Sequence, residues 1–139
     1  MVIFQAKIEV EGTDVSVISF GYGVGVALEA AETLKAQHNI NCEVVNLRTL
    51  RPLDVDAIIK SVKKTNHLVS VETGWPQCGI GSEIIAQVME SEAFDYLDAP
   101  CARVAGADLP MPYAKSLEDE ANIKPSDVVT SVLKMKGLM

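Results

Sequence analysis

Few side chains in this sequence are placed to do chemistry, and each has a structural alternative. Glu72 closes the run His67–Glu72 ahead of Thr73-Gly74-Trp75-Pro76, and a carboxylate at a strand end could serve as a general base. No histidine or serine is coupled to it by spacing, so the segment reads better as a contact loop. Trp75, the single tryptophan, lies beside a proline in that loop and is an interface anchor by type. Arg48 and Arg51 in LRTLRPLD (47–54) follow a second apolar run. Open α/β sheets bind ligands at the carboxyl ends of their strands, and paired guanidiniums can grip a carboxylate or phosphate. In so acidic a chain, pairing with acids of a neighbouring domain or subunit is the stronger reading.

GYGVG at 21–25 offers strand, glycine turn and helix, the arrangement that cradles phosphate. The dinucleotide fingerprint G-x-G-x-x-G fails, because position 26 is Val, and Asn46 and Arg48 stand where the ribose-binding acid belongs. A tight turn that brings the helix close to the sheet explains the glycines; a small anion on the helix end is the weaker alternative. His38 and His67 are too few for a catalytic set, and neither a Ser-His-Asp constellation nor HExxH occurs. Cys42, Cys78 and Cys101 form no CxxC pair, which speaks against a disulfide framework or zinc and for a reducing compartment. Cys42 and Cys101 adjoin apolar runs and read as small buried hydrophobes. Cys78 lies in a loop with nothing basic beside it in sequence.

The elements that must position these residues alternate. Residues 15–20, 42–47, 67–72 and 101–105 are short apolar runs that read as strands, with Lys7–Val10 as an extra one. Val24, Ala27, Leu28, Ala31 and Leu34 recur at helical spacing. Asp54 is placed to cap a helix with the stripe Val55, Ile58, Ile59, Val62, and Lys60, Lys63 and Lys64 lie near its C-terminal end. Ile84, Ile85, Val88 and Met89 predict an inward face for a third helix. Pro125 opens a last helix, with Val128, Val129, Val132 and Leu133 inward and Gly137 at its end. Strands separated by helices predict an α/β fold with three layers, α/β/α, and a mostly parallel sheet of about five strands.

The 139 residues suit one domain. A net charge of −7 argues against nucleic acid and anionic membrane surfaces and favours a basic partner. No apolar run approaches the roughly 20 residues of a membrane span. No signal peptide or arginine-rich presequence is visible, and MVIFQ reads as an arbitrary start, as in a piece of a longer subunit.

The most telling segment is RVAGADLPMPYAK, 103–115, where Pro110 and Pro112 stiffen a loop around Met111 and Tyr113. Either it covers the core or something packs on it. Together with EVVNLRTLRPLD (43–54), KKTNHLVSVETGWPQCGIGSEI (63–84) and AFDYLDAP (93–100), it resembles the beta subunits of pyruvate dehydrogenases, the thiamine-diphosphate-dependent decarboxylases, over nearly the whole chain. The resemblance is to their C-terminal domain, of the transketolase C-terminal type. The branched-chain 2-oxoacid dehydrogenases differ at ETGWPQCG and carry PFPH where this chain has PMPYAK, which leaves them, with a free-standing interaction domain, as alternatives.

The resemblance implies a domain that binds no cofactor of its own, the thiamine diphosphate being held mainly by a preceding domain, and that has no turnover alone. It implies contacts with a pyruvate dehydrogenase alpha subunit, a second beta subunit and the basic subunit-binding domain of dihydrolipoyl acetyltransferase. Asp98 of LDAP and the terminal Met139 match the positions that grip that basic domain, although the KMKGLM tail is more basic than the family's. Arg48, Arg51, Trp75, Met111 and Tyr113 are the interface candidates. FGYGVG replaces a Ser-Arg-Pro or Ser-Arg-Gly run of the family, so an anion site built on that arginine is lost. The mitochondrial matrix is the compartment implied, with a bacterial cytoplasm as the alternative.

Overall fold

Val15 to Ser19 is buried at every position, which a strand achieves only when both faces of its sheet are covered. The computed structural model, which describes residues 4–139, shows how. Its strands are β1 (Lys7–Val10), β2 (Val15–Ser19), β3 (Cys42–Asn46), β4 (Leu68–Val71) and β5 (Ala102–Val104). They pair in the order β1-β3-β2-β4-β5. β2 to β5 are parallel, and β1 adds to β3 antiparallel with Lys7 opposite Asn46.

The helices are α1 (Tyr22–His38), α2 (Val55–Thr65), α3 (Ile80–Met89), α4 (Lys115–Ala121) and α5 (Pro125–Met135), with a 3-10 helix at Glu92–Tyr96. One core layer joins Val17, Val44 and Val71 to Ala27, Ala30 and Leu34 of α1 and Val128 and Val132 of α5. The other joins Ile18, Val45 and Leu68 to Ile58 and Val62 of α2 and Ile84 and Val88 of α3. The predicted three-layer α/β/α architecture is the one observed.

Asp54 caps α2 as the sequence predicts, accepting from Ala57 N at 3.1 Å. It also accepts from Ala6 N at 2.8 Å, so one carboxylate fixes a helix start and the approach to β1. Gly137 ends the last helix region with φ 68. One expectation needs correction, and one element was not expected. Met89 does not face inward; it is half exposed, because α3 ends there and its apolar stripe closes at Val88. The short helix α4 has no sequence signal: Ala114 gives it no side-chain cap, and of its seven residues only Ala121 is buried.

Candidate functional site

Parallel pairing gathers the loops after β2, β3, β4 and β5 at one edge of the sheet, and most predicted site residues arrive there. The crevice between β2 and β4, where chain direction across the sheet reverses, is the usual ligand position in such folds. Here it is closed. Ser19 Oγ donates to Val71 O at 2.7 Å across it, and the start of α1 packs so tightly that a Cβ on Gly23 would strike Ser19 Oγ. GYGVG is therefore a close-packing turn. Gly23 is there for this close approach of α1 to the sheet.

Glu72 is not a base in waiting. It is buried, and its two carboxylate oxygens accept from Ile80 N at 3.0 Å and Gly81 N at 3.1 Å, the first amides of α3. A Cβ on Gly79 or Gly81 would sit 2.5 or 2.8 Å from those oxygens, so the glycines make room for this carboxylate. It satisfies helix-end donors that a buried terminus would otherwise orphan.

The loop after Glu72 is pinned at several further points. Arg103 Nη1 donates to Pro76 O at 2.6 Å and Ser82 Oγ at 2.7 Å, and Gly106 N donates to Gly74 O at 2.9 Å. Trp75 Nε1 donates to Leu109 O at 3.0 Å, which ties this loop to the Pro110–Pro112 loop. The result is a stiff apolar rim. Trp75 is 55% exposed and Tyr113 fully so, with Met111, Leu109, Leu117 and Tyr22 also exposed. Val104 of the 103–115 segment belongs to the core, and from Ala107 on the segment is exposed apart from half-buried Pro112. Leu109, Leu117 and Tyr22 were not singled out from sequence, because a lone apolar residue among polar ones carries no periodic signal.

Arg48 and Arg51 project from the loop after β3, Arg48 in a left-handed conformation (φ 59). Among the described residues neither has a carboxylate within ion-pair range. Arg51 borders a groove of about 810 Å³ whose walls are Leu50, Leu53, Cys78, Ile80 and Glu83. Exposed Cys78 therefore shares a groove with an arginine, a neighbour that sequence order does not reveal. Cys42 is buried and its thiol is pushed up to about 12 by desolvation. Cys101 is half buried, less than expected, and is raised by the same cause.

Asp98 lies at the opposite edge, just before β5, and is exposed beside exposed Asp95. Its backbone N donates to Asn66 O at 3.0 Å. His67 follows Asn66 and receives the tail: Lys136 Nζ lies 3.5 Å from His67 Nδ1, and exposed Leu138 and Met139 continue from there. The fold brings Asp98 and the tail to the same edge and separates both from Trp75, Met111 and Tyr113.

Residues 5–128 match the family described as transketolase, C-terminal domain. The chain belongs to that family. This transketolase C-terminal domain is 57% identical over 135 residues to the mitochondrial pyruvate dehydrogenase E1 component subunit beta of Saccharomyces cerevisiae, covering 97% of this chain and 37% of that one. With the Homo sapiens protein of the same name it shares 52% identity over 132 residues, 95% of this chain and 36% of that one. The chain thus spans little more than a third of the length of these relatives. A structure titled split gene transketolase, inactive beta4 tetramer, superposes with a TM-score of 0.83 at 26% identity, covering 99% of this chain and 43% of that one. The transketolase of Campylobacter jejuni, at 15% identity and TM-score 0.59, shares the fold.

The residues of this domain do not fit thiamine diphosphate. Among the described residues no three acids, histidines or cysteines converge to hold the divalent ion a diphosphate requires. The one buried carboxylate at the carboxyl edge, Glu72, is committed to the amides of α3.

Proposed function

We propose that this chain is the C-terminal domain of the beta subunit of a mitochondrial pyruvate dehydrogenase, one part of a longer subunit. The observation that carries the reading is 57% identity to the yeast beta subunit across 97% of the chain. The parent decarboxylates pyruvate on thiamine diphosphate, and the cofactor supplies the carbanion stabilisation. This domain contributes rigid contact surface.

Its carboxyl edge meets the alpha subunit, the second beta subunit or the preceding domain through Trp75, Met111 and Tyr113. Arg48 and Arg51, which have no acid in ion-pair range among the described residues, pair with acids across that contact. The amino edge docks the basic subunit-binding domain of dihydrolipoyl acetyltransferase through Asp98 and Met139. Support comes from the fold, in which Asp98 bonds Asn66 and Lys136 lies beside His67 at the same sheet edge, and from the net charge of −7.

The test is reconstitution. The chain mixed with pyruvate, thiamine diphosphate and magnesium is expected to give no turnover. Added to an alpha subunit and the remaining two-thirds of a beta subunit, it is expected to co-purify with them and restore turnover. Turnover by the chain alone, or failure to join the assembly, would overturn the reading.

A further inference from the structure

The chain has nine serines, and the fold treats one of them differently from the rest. Ser16, Ser19, Ser61 and Ser70 are buried. Ser82 Oγ accepts from Arg103 at 2.7 Å, and Ser91 Oγ caps the 3-10 helix and donates to Val88 O at 2.9 Å. Ser126, though exposed, and Ser131 belong to α5, which packs on the core through Val128 and Val132. Ser116 is exposed, makes no side-chain hydrogen bond among the described residues, and lies in α4.

That helix is thinly anchored. It has seven residues, no side-chain cap, and only Ala121 buried. Leu117 N and Glu118 N both donate to Ala114 O, at 3.0 and 2.9 Å, so its first turn hangs on one carbonyl. Helices this short are marginal without packing, and an element with few buried contacts opens locally at low cost. A kinase cleft takes the segment around its target hydroxyl in extended form, and α4 can supply that without disturbing the core. Ser116 is followed by Leu117, Glu118, Asp119 and Glu120. All three acids are exposed, and among the described residues Glu118 and Asp119 are in no ion pair, while Glu120 holds Lys124 at 2.8 Å. A hydroxyl with free acids two and three residues on is a charge pattern that a basic substrate pocket reads.

We propose that Ser116 is a phosphorylation site for an acid-directed seryl kinase, and that the phosphate keeps the chain out of its carboxyl-edge contact. The step moves the γ-phosphoryl group of a nucleoside triphosphate to Ser116 Oγ. The new O–P bond replaces the bond to the departing nucleoside diphosphate, and the hydroxyl proton passes to the catalytic carboxylate of the kinase. The product carries about −1.5 to −2 charges near neutral pH. It stands one residue before exposed Leu117 and three after exposed Tyr113, in the apolar rim. One exposed lysine, Lys115, set against Glu118 and Asp119, leaves the added charge uncompensated. Closing a partner over the rim would strip water from that charge, at a cost that apolar contact does not offset. The phosphate thus acts on the chain before it is assembled. The blocking effect rests on the rim reading above; the site itself does not.

The test has two arms. In the first, the 139-residue chain is incubated with an acid-directed casein kinase, γ-labelled nucleoside triphosphate and magnesium, and the labelled peptides are mapped. One phosphate, on Ser116, is expected. Glu118→Gln with Asp119→Asn is expected to lower kcat/KM for phosphorylation about tenfold or more, and Ser116→Ala to abolish it. Phosphate on another serine, no incorporation, or an unchanged rate in the neutral double variant would overturn the site. In the second arm, phosphorylated and unmodified chains compete for an alpha subunit and the remaining two-thirds of a beta subunit. About a tenfold preference for the unmodified chain is expected, and treatment with a phosphatase should erase it. Equal entry of the two forms would overturn the blocking effect. If the unmodified chain also stays out, the assembly reading falls and the blocking effect with it, while label on Ser116 still supports the site.

Discussion

A single carboxylate shows how much one side chain can organise. Glu72 bonds the first two amides of α3, and Gly79 and Gly81 make room for it. Glu72→Ala leaves one buried and one part-buried donor without acceptors, and a loss of about 2–4 kcal/mol is expected in urea unfolding. Glu72→Gln keeps one acceptor oxygen and is expected to cost about half as much. Both should loosen Trp75, whose loop hangs from this anchor, so its fluorescence should become more solvent-like before global unfolding begins. The cysteines divide by environment. With Cys42 buried and pushed up to about 12, and with Cys101 half buried, alkylation near neutral pH is expected to modify Cys78 first and Cys42 only with unfolding. Mass mapping of the labelled peptides checks the order.

At the scale of elements, the weakest attachment is β1. It pairs with β3 alone; Glu9 accepts from Asn46 Nδ2 of β3 at 3.0 Å, and Lys64 of α2 pairs with Glu11 just past the strand. Lys64 bridges exposed Glu11 and buried Glu43, a position that sequence reading assigned only to the helix dipole. Replacing Lys64 with Met leaves Glu43 buried without its cation, and a loss of about 2–4 kcal/mol is expected, below the full cost of a buried pair because Lys64 is half exposed. The hydrogen bond from Lys64 holds the Glu11 carboxyl below its ordinary value, as that from Lys7 does for Glu9. A lowered folded value means stability that is present above the ordinary carboxylate range and lost as pH falls through the folded one. Lys64, raised by the same bonds, contributes below the ordinary lysine value and loses that contribution as pH rises past its folded one. Acidification from about pH 6 to about pH 3.5 is therefore expected to free the amides of Ile8 to Val10 before those of β2 and β4. Hydrogen exchange resolved by residue measures it.

At the scale of the molecule, the two sheet edges differ in kind. The carboxyl edge is a stiff apolar rim; the amino edge is acidic, with Asp95 and Asp98 exposed. Proteins rarely leave such a rim in water, so the isolated chain is expected to self-associate as its concentration rises. Trp75→Ser with Tyr113→Ser should suppress that in sedimentation. Tyr113→Ser alone should change stability by less than about 0.5 kcal/mol, since its side chain touches little.

The sequence by itself determined the layers. Apolar runs of strand length between amphipathic helices leave one economical packing, and the Asp54 cap and the Pro125 and Gly137 boundaries are written in local backbone chemistry. It also marked Trp75, Met111 and Tyr113 through composition and motif, and Asp98 through the resemblance its LDAP segment carries. Only the tertiary structure decided what those residues are near. Glu72 finds its partners eight and nine residues away across a turn, and Lys64 meets acids 21 and 53 residues away. Trp75 reaches a carbonyl 34 residues on. Such contacts depend on which loops the parallel sheet delivers to the same edge, and no local pattern in the chain encodes that delivery.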